Sequence, residues 1–170
     1  MLNQIIIKNK IKPFSKKINV SPDKSLSIRS ILLASQAIGT SRISNLLESE
    51  DVLNSLKTIK KLGINFKKKK NIYEIYGFGL NGFNVKKNTI INAGNSGTLA
   101  RLILGLLVKC TKNITLIGDK SLSKRDFSRV IEPLKKFGAT FYPNNKTNLP
   151  IIIRGTNYIR PVKYLENKGS

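Results

Sequence analysis

The chain has 170 residues, 40% of them hydrophobic, and its formal net charge is +22. This length and composition suit one globular domain with its own core and argue against disorder. There is no histidine and only one cysteine, Cys110, which we interpret as structural. A typical zinc site, a histidine-based triad and an intrachain disulfide are therefore excluded, and any chemistry must rest on Lys, Arg, Ser, Asn and carboxylates.

The chain contains two copies of one unit. Residues 60–66 and 135–141 match each other in a pair of lysines, a glycine and a final phenylalanine. In each, the glycine ends a predicted helix and a strand follows. Further pairs share one constant spacing along the chain, namely Ile18 with Ile90, Ser25 with Gly97, and Arg29 with Arg101. We therefore predict an α/β (α+β) fold built from repeated βαβαββ units.

The first copy carries a cluster of acidic residues before its second helix. Glu48, Glu50 and Asp51 suit the positive end of the helix dipole, and we interpret them as dipole partners rather than an acid/base pair. The lysine-rich tip at 67–70 lacks interleaved aromatic residues, which favours a solvated hairpin over a ligand site. The predicted elements are a strand at 18–20, a helix at 27–38 ended by Gly39, a strand at 42–46, a helix over 52–62, and strands at 64–68 and 72–76.

The second copy repeats this order and leads toward a third. Ser25 and Gly97 are 72 residues apart, and adding the same 72 residues to the loop at 95–98 gives positions 167–170. There, Asn167, Gly169 and Ser170 match Asn95, Gly97 and Thr98. We therefore expect two complete units and the start of a third, with the chain truncated inside it. The predicted elements of the second copy are strands at 89–92, 114–117, 139–142 and 150–154 and helices at 97–109 and 126–137.

Two cationic loops stand at predicted helix starts. In the first, Arg29 lies four residues past Ser25, so its side chain is one turn into the helix and on the face nearest Lys24. In the second, at 118–125, Arg125 stands just before a helix and suits a two-point contact with a carboxylate or phosphate. Helix N-termini add free N–H donors and a positive dipole end. Both loops are therefore suited to anions.

A third loop, at 92–98, is rich in glycine and is followed by Arg101. Gly94 and Gly97 allow a positive φ and a close approach of an anion to backbone N–H groups, while asparagine, serine and threonine in the loop are good helix caps. One such loop alone is more often a capped turn. Three in a repeated βαβ topology fall on the same edge of the sheets, which indicates one anion site.

The charge of +22 raises nucleic acid, a membrane surface or an acidic ligand as the partner. Most of the excess is scattered lysine, which resembles a compositional bias, whereas three of the seven arginines accompany the three loops. We expect small anionic ligands, no specific nucleic acid and no membrane. The apolar runs at 5–7 and 102–108 are too short for a signal peptide or for the roughly 20 residues that span a bilayer, so we expect a cytoplasmic protein.

The segments at 22–29, 46–52, 92–98 and 121–125 resemble the signature segments of the 5-enolpyruvylshikimate-3-phosphate synthase family, in order and over nearly the whole chain. The resemblance implies a transferase of aromatic amino-acid (chorismate) biosynthesis. Such an enzyme joins phosphoenolpyruvate to the 5-hydroxyl of shikimate 3-phosphate and releases phosphate, with no metal or organic cofactor. It also implies two similar lobes, each of three βαβαββ units, that close on the ligands.

Site residues follow from the same resemblance. Lys24 would contact both substrates and is the expected catalytic residue of this chain, with Ser25 and Arg29 binding shikimate 3-phosphate. Phosphoenolpyruvate would be bound by Lys24, Asn95, Gly97 and Arg125. Residues 1–17 would form a strand belonging with a missing second lobe, and residues 18–170 a lobe truncated in its third unit. The main acid/base carboxylates would lie in the absent part, so the fragment alone is expected to be inactive.

The sequence is also compatible with three other functions. A lobe of an enolpyruvyl transferase that acts on a UDP-sugar would share the fold, although the spacing from Lys24 to Arg29 and the loop at 95–98 fit the shikimate enzyme better. A basic nucleic-acid-binding module would explain the charge and predicts an affinity that falls steeply with salt. A purely structural or assembly domain would bind neither substrate.

Overall fold

The computed structural model describes residues 6, 8, 10, 12–80 and 82–165. Within them, four α-helices and seven strands alternate along the chain. The helices are α1 (Lys24–Gln36), α2 (Glu50–Lys61), α3 (Gly97–Leu106) and α4 (Ser128–Phe137). The strands are β1 (Ile38–Ser44), β2 (Asn65–Lys69), β3 (Ile72–Phe78), β4 (Thr89–Asn92), β5 (Ile114–Ile117), β6 (Thr140–Tyr142) and β7 (Ile151–Arg154).

Each copy of the repeat forms its own sheet. The first sheet has the order β1-β3-β2 with all pairs antiparallel, which leaves one edge of β1 unpaired among the described residues. The second has the order β4-β5-β7-β6, in which β4 and β5 are parallel and the other pairs antiparallel. The second copy is therefore the complete βαβαββ unit that the sequence predicts.

The strand predicted at 18–20 is absent, so the first copy is incomplete and the prediction of two complete units is wrong in this detail. In the repeat, Asn19 occupies the position of Ile91, which β4 buries completely. The apolar neighbours Ile18 and Val20 correspond to outward-facing positions of β4, and both are about three-quarters exposed (74% and 76%). Since alternate strand residues point to opposite faces, a strand here would bury an amide and expose its apolar side chains.

The first helix begins three residues earlier than predicted. Asp23 is its N-cap, and its side chain accepts a hydrogen bond from the backbone N–H of Leu26 at 2.6 Å. Lys24 and Ser25 therefore belong to the first turn of α1 rather than to a loop. The prediction that Gly39 ends this helix is also wrong, because α1 ends at Gln36 and Gly39 lies inside β1 with φ +88°.

Glycine ends both matched helices, as the repeat predicts. Gly138 is the C-cap of α4 with φ +111°, and Gly63 follows the C-cap of α2 with φ +89°. The hairpin of β2 and β3 is also confirmed. Its Lys68 bonds the carboxylate of Glu48 at 2.5 Å, so Glu48 is a link to the hairpin instead of a dipole partner of α2. This bond and a second from Tyr73 lower the pKa of Glu48.

The core lies where α1 meets α3, α2 and the sheets. Ile28 and Ile31 of α1 and Leu99 and Ile103 of α3 are fully buried. No helix among the described residues is long and apolar enough to cross a membrane. The expected start of a third copy at 167–170 lies outside the described residues. This packing places the N-termini of α1, α2 and α3 at one end of the molecule.

Candidate anion-binding site

A polar cavity of about 470 Å³ opens where α1, α2 and α3 begin. Three of the predicted site segments contribute to it, and all of its lining side chains but one are cationic or neutral. Its lining residues are Lys24, Asp51, Asn95, Ser96, Gly97, Thr98, Arg101 and Arg125. The structure thus brings together four predicted residues from three segments that are far apart in the chain.

The glycine-rich loop between β4 and α3 is held by its own side chains. Asn92 accepts a hydrogen bond from the backbone N–H of Gly94 at 2.9 Å, and Gly94 has φ +58°, which a side chain would disfavour. Ser96 caps α3 by accepting from the N–H of Leu99 at 3.2 Å. The N–H groups in the first turn of α3 have no carbonyl partner within the helix, and Ser96 satisfies the one that belongs to Leu99.

Gly97 does not have the positive φ predicted for it, and its lack of a side chain leaves space instead. It is the first residue of α3 and its φ is not positive. A Cβ atom at this position would lie 2.9 Å from one guanidinium nitrogen of Arg101 and 2.9 Å from one of Arg125. The missing side chain thus lets two cationic groups approach the helix N-terminus together.

The two guanidinium groups are held by neutral partners. Arg125 donates to the side-chain oxygen of Asn95 at 3.1 Å. Arg101 donates to the backbone carbonyl of Asp126 at 3.3 Å and lies 5.0 Å from the ring centre of Phe127. Neither forms an ion pair with a carboxylate in the described part of the chain. Their positive charge is therefore positioned but not neutralised, as an anion site requires.

Lys24 is oriented by Asp51, which also lines the cavity. Its ammonium nitrogen lies 2.8 Å from a carboxylate oxygen of Asp51. The Asp51 side chain is only 15% exposed, whereas that of Lys24 is 52% exposed. The less exposed carboxylate therefore restrains the lysine while much of the lysine side chain stays accessible.

Ser25 and Arg29 do not line this cavity. Ser25 is half-buried in the first turn of α1. Arg29 is exposed one turn further on, at an apolar groove of about 250 Å³ between α1 and α3 that is also lined by Leu33 and Leu102. The structure therefore separates the residues expected for shikimate 3-phosphate from those expected for phosphoenolpyruvate, with Lys24 as the shared residue.

A sequence profile of the family described as EPSP synthase (3-phosphoshikimate 1-carboxyvinyltransferase) matches residues 8–170. The chain belongs to the EPSP synthase family. The family expected from the four motif segments is thereby confirmed.

Individual EPSP synthases match most of this chain but only part of their own length. The 3-phosphoshikimate 1-carboxyvinyltransferase of Vesicomyosocius okutanii is 43% identical over 148 residues, which cover 86% of this chain and 33% of that protein. The same enzyme of Novosphingobium aromaticivorans is 37% identical over 153 residues, covering 89% and 34%. The EPSP synthase structure from Acinetobacter baumannii matches with a TM-score of 0.79 at 33% identity, covering 88% and 34%. The chain spans about a third of the length of these relatives.

Four residues that line this cavity were not predicted as site residues. Arg101 is the repeat equivalent of Arg29 and lies one helical turn after Gly97, so its repeat position was a signal that it points toward the loop. Asp51 was assigned only to the helix dipole, since sequence alone does not show that it faces Lys24. Ser96 and Thr98 were considered only as caps, and Ser96 performs that role.

Replacing Gly97 by alanine is expected to weaken the binding of inorganic phosphate about tenfold, since it displaces one or both guanidinium groups and charged hydrogen bonds contribute about 1.5–3 kcal/mol each. The fold should not lose stability, because alanine is the better helix former. Phosphate titration and thermal unfolding measure the two effects. Gly105→Ala in the same helix, where a Cβ meets nothing within 4 Å, is the control and should leave binding unchanged.

Asp126 lies between the loop at 118–125 and α4, and its side chain bonds the first residue of α4. Its carboxylate accepts hydrogen bonds from the hydroxyl of Ser128 and from the Ser128 backbone N–H, the latter at 3.0 Å, and these bonds lower the pKa of Asp126. Because the folded-state pKa is depressed, this stabilisation is present above the unfolded pKa and is lost as the pH falls through the folded pKa.

Asp126→Ala should therefore lower the free energy of unfolding by about 0.5–1 kcal/mol near neutral pH, a modest value because solvent screens this exposed carboxylate. Below the folded pKa the wild type and the variant should converge, since protonation has already removed the carboxylate bonds. Urea unfolding at a series of pH values measures both stabilities. A difference that persists unchanged into acid would show that the carboxylate charge is not the source.

Proposed function

We propose that this chain is the N-terminal part of an EPSP synthase and that its cavity binds the phosphate of phosphoenolpyruvate. The whole enzyme would transfer the carboxyvinyl group of phosphoenolpyruvate to the 5-hydroxyl of shikimate 3-phosphate and release phosphate. One observation carries the proposal: Lys24, Gly97 and Arg125, from three separate segments, line the same cavity of about 470 Å³. That convergence is expected of a ligand site and is not needed for capping three independent helices.

The phosphate of phosphoenolpyruvate suits the arginine side of the cavity. Arg125, held by Asn95, and the N–H groups at the start of α3 supply charge-assisted donors. Arg101 adds a second guanidinium group at the position that Gly97 leaves open. A phosphate bound there would have fixed donors on two sides, and no donor would have to reorganise as charge develops on the leaving phosphate.

Shikimate 3-phosphate would lie toward α1, bound by Ser25 and Arg29. Lys24 would lie between the two substrates and contact both. Its partner Asp51 keeps the ammonium group on the cavity side. The position of Arg29 beside the groove between α1 and α3 supports a binding area that extends along α1. Two anionic substrates side by side require such concentrated cations.

The main groups for proton transfer would lie outside this part of the enzyme. Among the described residues that line the cavity, Asp51 is the one carboxylate, and it is bonded to Lys24. General acid–base groups commonly contribute about 10²–10⁴ in rate. The remaining acid/base groups would come from the portion of the relatives that this chain does not match. Residues 1–17 would pair with that portion, and residues 18–170 would belong to one lobe of a cytoplasmic enzyme.

Two measurements test the proposal. Calorimetric titration with shikimate 3-phosphate should give binding heat that Arg29→Ala reduces, and the absence of heat would favour a structural domain. An assay of phosphate release should detect no turnover by the chain alone. Turnover should appear when the separately made remainder of the Vesicomyosocius okutanii relative is added. Turnover by the chain alone would contradict the proposed division of the active site.

A further inference from the structure

A basic face lies at the end of the molecule opposite the candidate site. Two adjoining concavities, of about 700 and 300 Å³, share Lys87 and Asn88. No residue that lines either of them is acidic. We call their six cations the basic face, and they are Lys60, Lys61, Lys86, Lys87, Lys112 and Arg154.

Strand β4 and helix α2 each extend between the candidate site and the basic face. Strand β4 begins at Thr89, which lines the larger concavity of the basic face, and ends at Asn92, where the glycine-rich loop of the candidate site begins. Helix α2 has Asp51 at the site end and Lys60 and Lys61 at the other. Of the eight described carboxylates, five precede or begin α1, α2 or α4, and a sixth precedes the short 3-10 helix Leu122–Lys124; the six are Asp23, Glu48, Glu50, Asp51, Asp126 and Asp119. The charge of the chain is thus distributed unevenly over the fold.

Backbone contacts restrain half of the basic face. Lys61 donates to the carbonyl of Ile90 at 2.8 Å, and Lys112 donates to that of Val85 at 2.5 Å. Arg154 donates to the carbonyl of Thr111 at 3.2 Å. None of the six cations forms an ion pair with a described carboxylate. Each restrained cation still has free donors, so a bound anion would cost less side-chain entropy than at unrestrained lysines.

We propose that the basic face binds the phosphate backbone of a nucleic acid without reading its sequence. Its cations come from four separate segments and extend over two concavities, which suits a chain of phosphates more than one small anion. Asparagine and threonine side chains at 84, 88, 89, 111 and 113 add neutral donors of the kind that contact phosphates. No aromatic side chain lines either concavity, so bases have no stacking platform and the backbone is the ligand.

Two triple variants that remove the same charge test whether binding depends on the basic face or only on the net charge of the chain. The first variant combines Lys60→Gln, Lys86→Gln and Lys87→Gln. The control combines Lys67→Gln, Lys69→Gln and Lys70→Gln, which removes the same charge from the exposed hairpin of β2 and β3. The affinity of each for a short labelled DNA duplex is measured across a series of salt concentrations, and thermal unfolding confirms that both variants are folded.

Each phosphate neutralised contributes about −0.9 to the slope of log K against log salt, so six contacts predict a slope of about −5 for the wild type. The first variant should lose about three units of that slope, and the control less than about one. Duplexes of different sequence, and an RNA duplex, should bind about equally well. Equal losses in the two variants would overturn the proposal, as would affinity confined to one sequence or no binding at low salt.

Discussion

Replacing Phe127 by alanine is expected to lower the free energy of unfolding by about 3–5 kcal/mol. The side chain is fully buried and is among the largest in the core. Its backbone N–H donates to the carbonyl of Thr147 at 2.8 Å, and its carbonyl accepts from the first turn of α4. Truncation would leave a cavity next to these bonds, and the loss would be a large fraction of the stability of a typical domain, which is about 5–15 kcal/mol.

The same substitution should weaken anion binding, because the ring of Phe127 supports the guanidinium group of Arg101. Urea unfolding and phosphate titration measure the two consequences. Phe127→Leu is the matched control, since it retains most of the buried volume and removes the aromatic face. It should cost roughly 1–1.5 kcal/mol and still reduce phosphate affinity. Unchanged phosphate affinity in both variants would show that the ring does not position Arg101.

Arg125→Ala is expected to lower the affinity for inorganic phosphate and for phosphoenolpyruvate roughly 10- to 100-fold. This range corresponds to losing charge-assisted hydrogen bonds that contribute about 1.5–3 kcal/mol. The fold should be nearly unaffected, since Arg125 is exposed and its side chain bonds the amide oxygen of Asn95, which is on the surface as well. Isothermal titration of the purified chain with each ligand gives the measurement.

Two controls distinguish a specific contact from the removal of one positive charge. Arg160→Ala removes the same charge from an exposed arginine outside the cavity and should change affinity less than about twofold, because solvent screens distant charges. Arg125→Lys retains the charge but not the planar pair of donors, and it should recover only part of the affinity. Equal losses in Arg125→Ala and Arg160→Ala would contradict the assignment of Arg125 to the site.

Sequence patterns located most elements but could not assign faces. The strands at 89–92 and 114–117 were predicted to the residue, since each is a short apolar run between polar residues. The strand at 18–20 was wrong because Ile18 and Val20 match β-propensity while Asn19 falls on the buried face. Propensity is a local property, whereas the choice of face is decided by the helix packed against the sheet.

The candidate site shows the same division between local and tertiary information. Repeats and loop composition led to Lys24, Asn95, Gly97 and Arg125, because glycine and cations at helix starts are visible in the sequence. That Asp51 faces Lys24 depends on how α1 packs against α2, which no spacing along the chain expresses. The reason for Gly97 also changed from backbone freedom to the space shared by two guanidinium groups.

The edge of β1 that no described strand covers has a consequence for handling the isolated chain. Backbone N–H and C=O groups along that edge have no strand partner among the described residues, and Ile38 at the start of the strand is 92% exposed. An uncovered edge strand is a template for pairing with another copy, and Arg42 is the single charged side chain within β1. Colloidal stability of this chain should therefore depend on concentration, with self-association and eventual precipitation beginning along this edge.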